Sequence, residues 1–287
     1  MTSASALRLE RAGSPAEFER IAGPFLSARE AENNLVLGLT SAMKAGRSYG
    51  PAVYFGAVRD GNSIVGVAMR AGLYLIVTAG TTDESLRMLI EDAVRQTGDS
   101  PGIIGPKDLA RRAVELWTAR TGQRAHVQTA ERIYALARVI PPRSVNGHMR
   151  PARASDLDLA AAWFHAFGME AQPHLAGTAA EARANAERWI AGGRLRLWED
   201  GVVVSMAGAS GPTPNGIRVG AVYTPPDKRR RGYASALVAA LSQEQLDTGK
   251  KFCFLYTDLA NPTSNKIYQD IGYEPVCDID EYIFESA

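Results

Sequence analysis

Two stretches of the chain carry residue types whose spacing can do chemistry. The first is Lys228-Arg229-Arg230-Arg231-Gly232-Tyr233-Ala234, which follows a strand-like run, Ile217–Thr224, and opens an apolar series at Ala234, Leu237, Val238 and Leu241. That series has a helical period. A helix N-terminus offers unpaired amides and roughly half a positive charge. Gly232 and Ala234 are small enough to let an anion approach this backbone, and the arginines add local charge, so a pyrophosphate is the natural guest. The Gly-Lys-Ser/Thr ending of a P-loop is missing. Taken alone, such a basic turn is also an ordinary solvated corner.

The second stretch runs from Phe252 to Tyr273. It reads as a buried strand followed by a helix, with Asn261 as N-cap, Pro262 at the first helical position and Gly272 at the C-terminal cap. On that reading Asn261 needs no ligand, and Tyr268 serves as a core aromatic.

Together the two stretches resemble the GNAT superfamily of acyl-CoA-dependent N-acyltransferases. The resemblance rests on Arg229-x-x-Gly232-x-Ala234 after a strand, and on Asn261, Ser264, Tyr268 and Gly272-Tyr273 at the family's spacing. The run Val222-Tyr223-Thr224-Pro225-Pro226-Asp227 is also typical, and the match covers roughly Met149 to Phe284. It implies a mixed sheet splayed open in the middle, with acyl-CoA in the split. It further implies that amides of Arg230, Arg231, Gly232, Tyr233, Ala234 and Ser235 hold the pyrophosphate, with Arg229 the first motif residue. Backbone groups of Val222 and Thr224 would meet the pantetheine arm, and the Val222 amide would polarise the thioester carbonyl. Asn261 and Ser264 would lie along the same arm, and Tyr268 would donate a proton or hydrogen bond to the departing thiolate. Arg230 stands where the family's turn has a small residue. A general base is still needed for an ammonium nucleophile. Glu170, in an expected loop Phe167-Gly168-Met169-Glu170, is the candidate, while His165 reads as structural.

The elements that position these residues follow from period and punctuation. Ile140-Pro-Pro-Arg-Ser-Val-Asn-Gly-His148 is a seam of two prolines and a turn signal. It divides the chain into residues 1–140, a linker at 141–148 and a catalytic domain at 149–287. The second part reads as a strand Met149–Ala152, a helix Leu157–Phe167 capped by Ser155, a helix Ala180–Ala191, and strands Arg194–Glu199 and Val202–Ser210. The first part has helices at Ala16–Phe25 and Glu30–Met43 and a hairpin, Val53–Val58 and Ser63–Arg70, across Asp60-Gly61-Asn62. A strand Leu73–Thr78 and a helix Glu84–Gln96 follow, then a strand Gly102–Gly105, a helix Lys107–Arg120 and a strand Val127–Val139. This order loosely echoes the same α/β fold. Its equivalent turn, Ala79-Gly80-Thr81-Thr82-Asp83, lacks the arginine and carries an acid. The expectation is therefore two GNAT-like halves, the first degenerate and walling off the acceptor site.

Composition excludes much else. Apolar residues are 46% of 287 and charged residues 22%, which is ordinary for a globular chain. A net charge of +1 recruits no nucleic acid. Two cysteines, Cys253 and Cys277, and four scattered histidines suggest neither a disulfide framework nor a metal site. Met1 to Glu10 lacks the pattern of a signal peptide, and no apolar run approaches a membrane span, so a cytoplasmic protein is expected. The reading is acetyl transfer from acetyl-CoA to a primary amine, with no metal and with homodimerisation left open. The alternatives are a longer acyl-CoA donor, as in the glycine acyltransferase-like branch, or a non-catalytic CoA-binding regulator.

Overall fold

The computed structural model describes residues 7–50, 53–72, 74–98 and 100–285. Leu73, the first residue of one expected strand, lies outside them. The first half contains β1 (Arg8–Arg11), α1 (Pro15–Ser27), α2 (Asn34–Lys44), β2 (Val53–Asp60), β3 (Ser63–Ala71) and β4 (Tyr74–Val77). It continues with α3 (Asp83–Thr97), β5 (Gly102–Pro106), α4 (Lys107–Thr121) and β6 (Arg124–Leu136). The second half repeats the order with β7 (His148–Pro151), α5 (Leu157–Ala171), α6 (Ala179–Ala191), β8 (Leu195–Asp200), β9 (Val202–Ser210) and β10 (Gly216–Tyr223). Then come α7 (Tyr233–Asp247), β11 (Phe252–Asp258), α8 (Pro262–Asp270) and β12 (Glu274–Glu285).

The twelve strands of the described residues form one mixed sheet in the order β1-β2-β3-β4-β5-β12-β6-β11-β10-β9-β8-β7. Within each half the early strands are antiparallel, and β4–β5 and β10–β11 are the parallel pairs. The centre is where the halves trade. β12 pairs with β5 of the first half, Tyr282 opposite Ile103, while β6 pairs with β11 of the second, Tyr256 opposite Ile133. The two lent strands pair with each other over most of their length.

Side-chain alternation turns this exchange into shared cores. Tyr134 and Leu136 of β6 are buried with Leu237, Leu241 and Leu255 of the second half. Tyr282 and Phe284 of β12 pack into the first-half core, where Phe284 stacks on Trp117 at 5.6 Å. The opposite edges of the same strands, Ile133 and Ile279, join Phe18, Leu26 and Val36 of α1 and α2. A second tie is Glu30, whose carboxylate accepts from Thr213 Oγ1 at 2.5 Å and from the Asn215 amide at 2.7 Å. Burial would raise its pKa, but the bonds from Asn215 and Thr213 prevail and hold it below the usual carboxylate range.

Four local expectations need correction. Ser155 caps nothing. It sits in a 3-10 turn, Ala154–Asp156, where Asp156 Oδ2 accepts from the Arg153 amide at 2.7 Å. Helix α5 does not stop at Phe167 but continues to Ala171, so Glu170 is on its last turn and not in a loop. Gly168 is tolerated there because its place in the helix costs only about 1 kcal/mol. Helix α2 starts at Asn34, four residues later than its apolar pattern suggested, and β6 lies at Arg124–Leu136, displaced towards the N-terminus. Among the described residues no helix is long and apolar enough to cross a membrane.

Candidate functional site

Strands β10 and β11 run parallel only from Gly216–Arg218 opposite Phe252–Phe254, and no ladder joins them beyond that. On its other side β10 pairs with β9, but the register jumps between Gly220 and Tyr223. Ala221 takes φ 50°, a left-handed conformation that an alanine adopts at a cost of about 1–2 kcal/mol. This bulge takes Ala221 and Val222 out of the β9 register.

The chain then turns through Pro226–Lys228 and enters α7 with Gly232 as N-cap, φ 85° and no side-chain cap. The first-turn amides of α7 are thereby left for another partner. A Cβ on Gly232 would stand 2.8 Å from Val145 Cγ1, so the backbone here is bare both for its conformation and for space. Arg230 also has positive φ, 62°. Among the described residues, Ala221 and Arg230 are the two non-glycine positions with this strain, and both flank the same turn. Strain of this kind concentrates at ligand sites. Arg230 thus holds a backbone conformation that favours glycine.

The side chains around the turn are ordered. Arg229 Nε donates to the Thr224 carbonyl at 2.8 Å, and its Nη2 pairs with Glu170 Oε2 at 2.6 Å. The Thr224 hydroxyl lies 2.9 Å from Ser205 Oγ, leaving its amide as the group free for a ligand. Tyr233 is buried and donates to Asp200 Oδ2 at 2.6 Å.

The second stretch faces the same opening. Asn261 Oδ1 accepts from the Ser264 amide at 3.0 Å, as a cap should, and leaves its Nδ2 as a donor. Tyr268 is buried, edge-on to Tyr273 at 6.0 Å, and burial pushes its phenol up to about 12. A cleft of about 1050 Å³ joins these parts, reaching from Ser235 and Tyr268 at one end to Glu131, Tyr74 and Glu281 at the other. Val222, Thr224, Arg229, Arg230, Gly232, Tyr233, Ala234, Ser235, Asn261, Ser264 and Glu170 all line it, whereas Arg231 does not; its Nη2 lies 3.4 Å from the Asp227 carbonyl.

Comparison with known proteins bears on what this arrangement is. Residues 203–283 match the family model described as FR47-like protein. No curated protein matches the chain. A protein of Drosophila superposes with a TM-score of 0.66 at 15% identity, covering 97% of this chain and 98% of that one. The GCN5-related N-acetyltransferase from Sphaerobacter thermophilus gives 0.63 at 15% identity, with 96% and 94% covered. A tandem GNAT protein from the clavulanic acid biosynthesis pathway gives 0.55 at 12% identity, with 98% of each chain covered. The fold is a tandem GNAT fold. At these identities the likeness is one of architecture, and it extends over both halves.

In this GNAT fold sequence reasoning missed one residue that braces the cleft wall, Asn265, and two that line the cleft, Glu281 and Glu131. Asn265 ties the strand to the helix: its Nδ2 donates to the carbonyls of Asp258 and Asn261 at 3.0 and 2.8 Å. Its Oδ1 accepts from Tyr134 at 3.1 Å and from Thr257. Glu281 is 2% exposed and accepts at one oxygen from Tyr74, at 2.6 Å, with His174 Nε2 equally close. Glu131 stands nearby on β6. Its only sequence signal is a carboxylate two residues before Ile133, on the strand face that Ile133 buries.

Proposed function

We propose that the chain transfers an acetyl group from acetyl-CoA directly to a primary amine. The observation that carries this reading is the coincidence of a bulged, half-unpaired β10 with an uncapped helix N-terminus, both held in strained backbone. The pyrophosphate would take the amides from Arg230 to Ser235, where the helix N-terminus and the arginines favour an anion. The pantetheine would pair with Val222 and Thr224 as an added strand in the split, and Asn261 would donate to it from its Nδ2. The Val222 amide, outside the β9 register, would meet the thioester oxygen as negative charge develops on it.

Tyr268 would serve the departing sulfur. A phenol near 12 against a thiol near 8.5 makes full proton transfer uphill by about 5 kcal/mol. A charge-assisted hydrogen bond of about 1.5–3 kcal/mol is the form its help would take. Tyr268→Phe should then lower kcat by about tenfold to a hundredfold while acetyl-CoA affinity holds. An unchanged kcat would remove Tyr268 from the reaction. Direct transfer is supported by the cysteines: burial pushes both Cys253 and Cys277 up to about 12, which suits neither as a nucleophile.

The deciding experiment is calorimetric titration of acetyl-CoA into the protein and into an Arg229→Ala/Gly232→Glu double variant, with desulfo-CoA as control. Binding by the wild type that the folded double variant loses is the expected result. No binding by folded wild type would sink the reading.

A further inference from the structure

The end of the cleft away from the basic turn is built from the two strands that the halves exchange. Glu131 lies on β6, directly opposite Asp258 of β11 and Ile279 of β12. Glu281 is two residues beyond Ile279 and so shares its face. Glu281 is fixed by Tyr74 and His174, so its carboxylate cannot turn away from this corner. Glu131 is different: burial and neighbouring charges act on it, but no described residue hydrogen-bonds or pairs with its carboxyl. A partly buried carboxyl without a partner is costly, and its place is at the wall of an open cleft.

Resting on the acyltransferase reading above, we propose that Glu131 and Glu281 seat the ammonium of a cationic amine acceptor, and that Glu131 removes its proton. The acceptor arrives as R–NH3+. One proton passes from nitrogen to the Glu131 carboxylate, and the freed lone pair forms the C–N bond to the thioester carbonyl carbon. The C–S bond breaks with its electron pair on sulfur. The proton that the adduct nitrogen then loses goes to that sulfur, through the Tyr268 hydroxyl, to give the CoA thiol. Glu131 returns its own proton to solvent. Atoms and charge balance, and no other reactant is required.

The surroundings suit a base working near neutrality. Burial foremost, then the charges of Glu281 on β12 and Asp258 on β11, push Glu131 up to about 7, while Arg218 on β10 opposes them. Tyr256 of β11 and His174, between α5 and α6, complete the titratable groups at this corner. Glu170, by contrast, already has its carboxylate engaged by Arg229.

The test uses the full chain, acetyl-CoA, and two acceptors of equal length, 1,4-diaminobutane and 4-aminobutanoate, following CoA release. Wild type should prefer the diamine by about tenfold or more, since 4-aminobutanoate would bring a third carboxylate towards Glu131 and Glu281. Its rate should rise with pH through about 7. Glu131→Gln should lose about a hundredfold in kcat and the pH limb with it, with acetyl-CoA affinity intact by calorimetry. Glu131→Asp should keep the limb at reduced rate. Equal use of the two acceptors, no use of the diamine by protein that binds acetyl-CoA, or a Glu131→Gln variant with wild-type rate and profile would each overturn the acceptor site alone. Failure of acetyl-CoA to bind wild type would overturn the parent reading and this one with it.

Discussion

Two helix N-termini hold equivalent places in the two halves, α3 after β4 and α7 after β10, and they are finished in opposite ways. At α3, Thr82 caps the helix by accepting from the Ser85 amide at 3.4 Å, and Asp83 and Glu84 fill the first turn. The preceding loop is stitched to β3: Thr78 Oγ1 donates to the Val67 carbonyl at 2.7 Å, and Thr81 Oγ1 accepts from the Val67 amide at 3.1 Å. Strand β4 is paired with β5 from Tyr74 to Ile76, three of its four residues. At α7 there is no side-chain cap, no acid in the first turn, a run of basic residues, and a strand that leaves its neighbour after Arg218. A helix terminus is fitted for an anion by what the chain leaves unpaired. The first half caps this terminus with Thr82 and places acids in its first turn.

The largest expected effect therefore concerns stoichiometry. Titration should give one acetyl-CoA per chain, and Gly232→Glu alone should weaken it by about a hundredfold or more, through positive φ, the clash with Val145 and a carboxylate at the proposed anion site. Two sites by calorimetry would break the comparison. Next comes the corner between the lent strands. Glu131 is neutral in the folded chain up to about pH 7 but ionises near 4.5 when unfolded. Wild-type stability is therefore lost as pH rises between those values and stays lost above them. Glu131→Gln should be more stable than wild type by about 3 kcal/mol at pH 8 and equal to it at pH 4, read from denaturant unfolding. A pH-independent difference would mean that the corner is not desolvated. Smaller is Thr82→Ala, which should cost about 1 kcal/mol of stability while leaving acetyl-CoA affinity untouched. Smallest is Arg230→Gly, expected to relieve left-handed strain by up to about 1 kcal/mol without loss of binding.

What the sequence made legible were features written in a few neighbouring residues. Asn261-Pro262 announces a helix start, and the series from Ala234 to Leu241 announces a buried helix face, because caps and periods are local. The end of α5 was not legible, since Gly168 reads as a stop until the packing of Phe164 and Trp189 is known. The exchange of β6 and β12 was invisible for a deeper reason: alternation states which face a strand buries, not which strand lies beside it. Glu131 was missed with it, because a strand carboxylate gains meaning only when the facing strands are known.

That exchange has a consequence for how the protein is made. Strand β12, which follows the other described strands in chain order, belongs beside β5 in the middle of the sheet. Until it arrives, β5 has an open edge and Trp117 lacks the ring it stacks on. The nascent first half must therefore wait, with a sticky strand exposed, through the synthesis of more than a hundred further residues. Folding should be slow and all-or-none across both halves, as expected where decisive contacts are distant in the chain. Chaperone dependence during expression would be its visible sign.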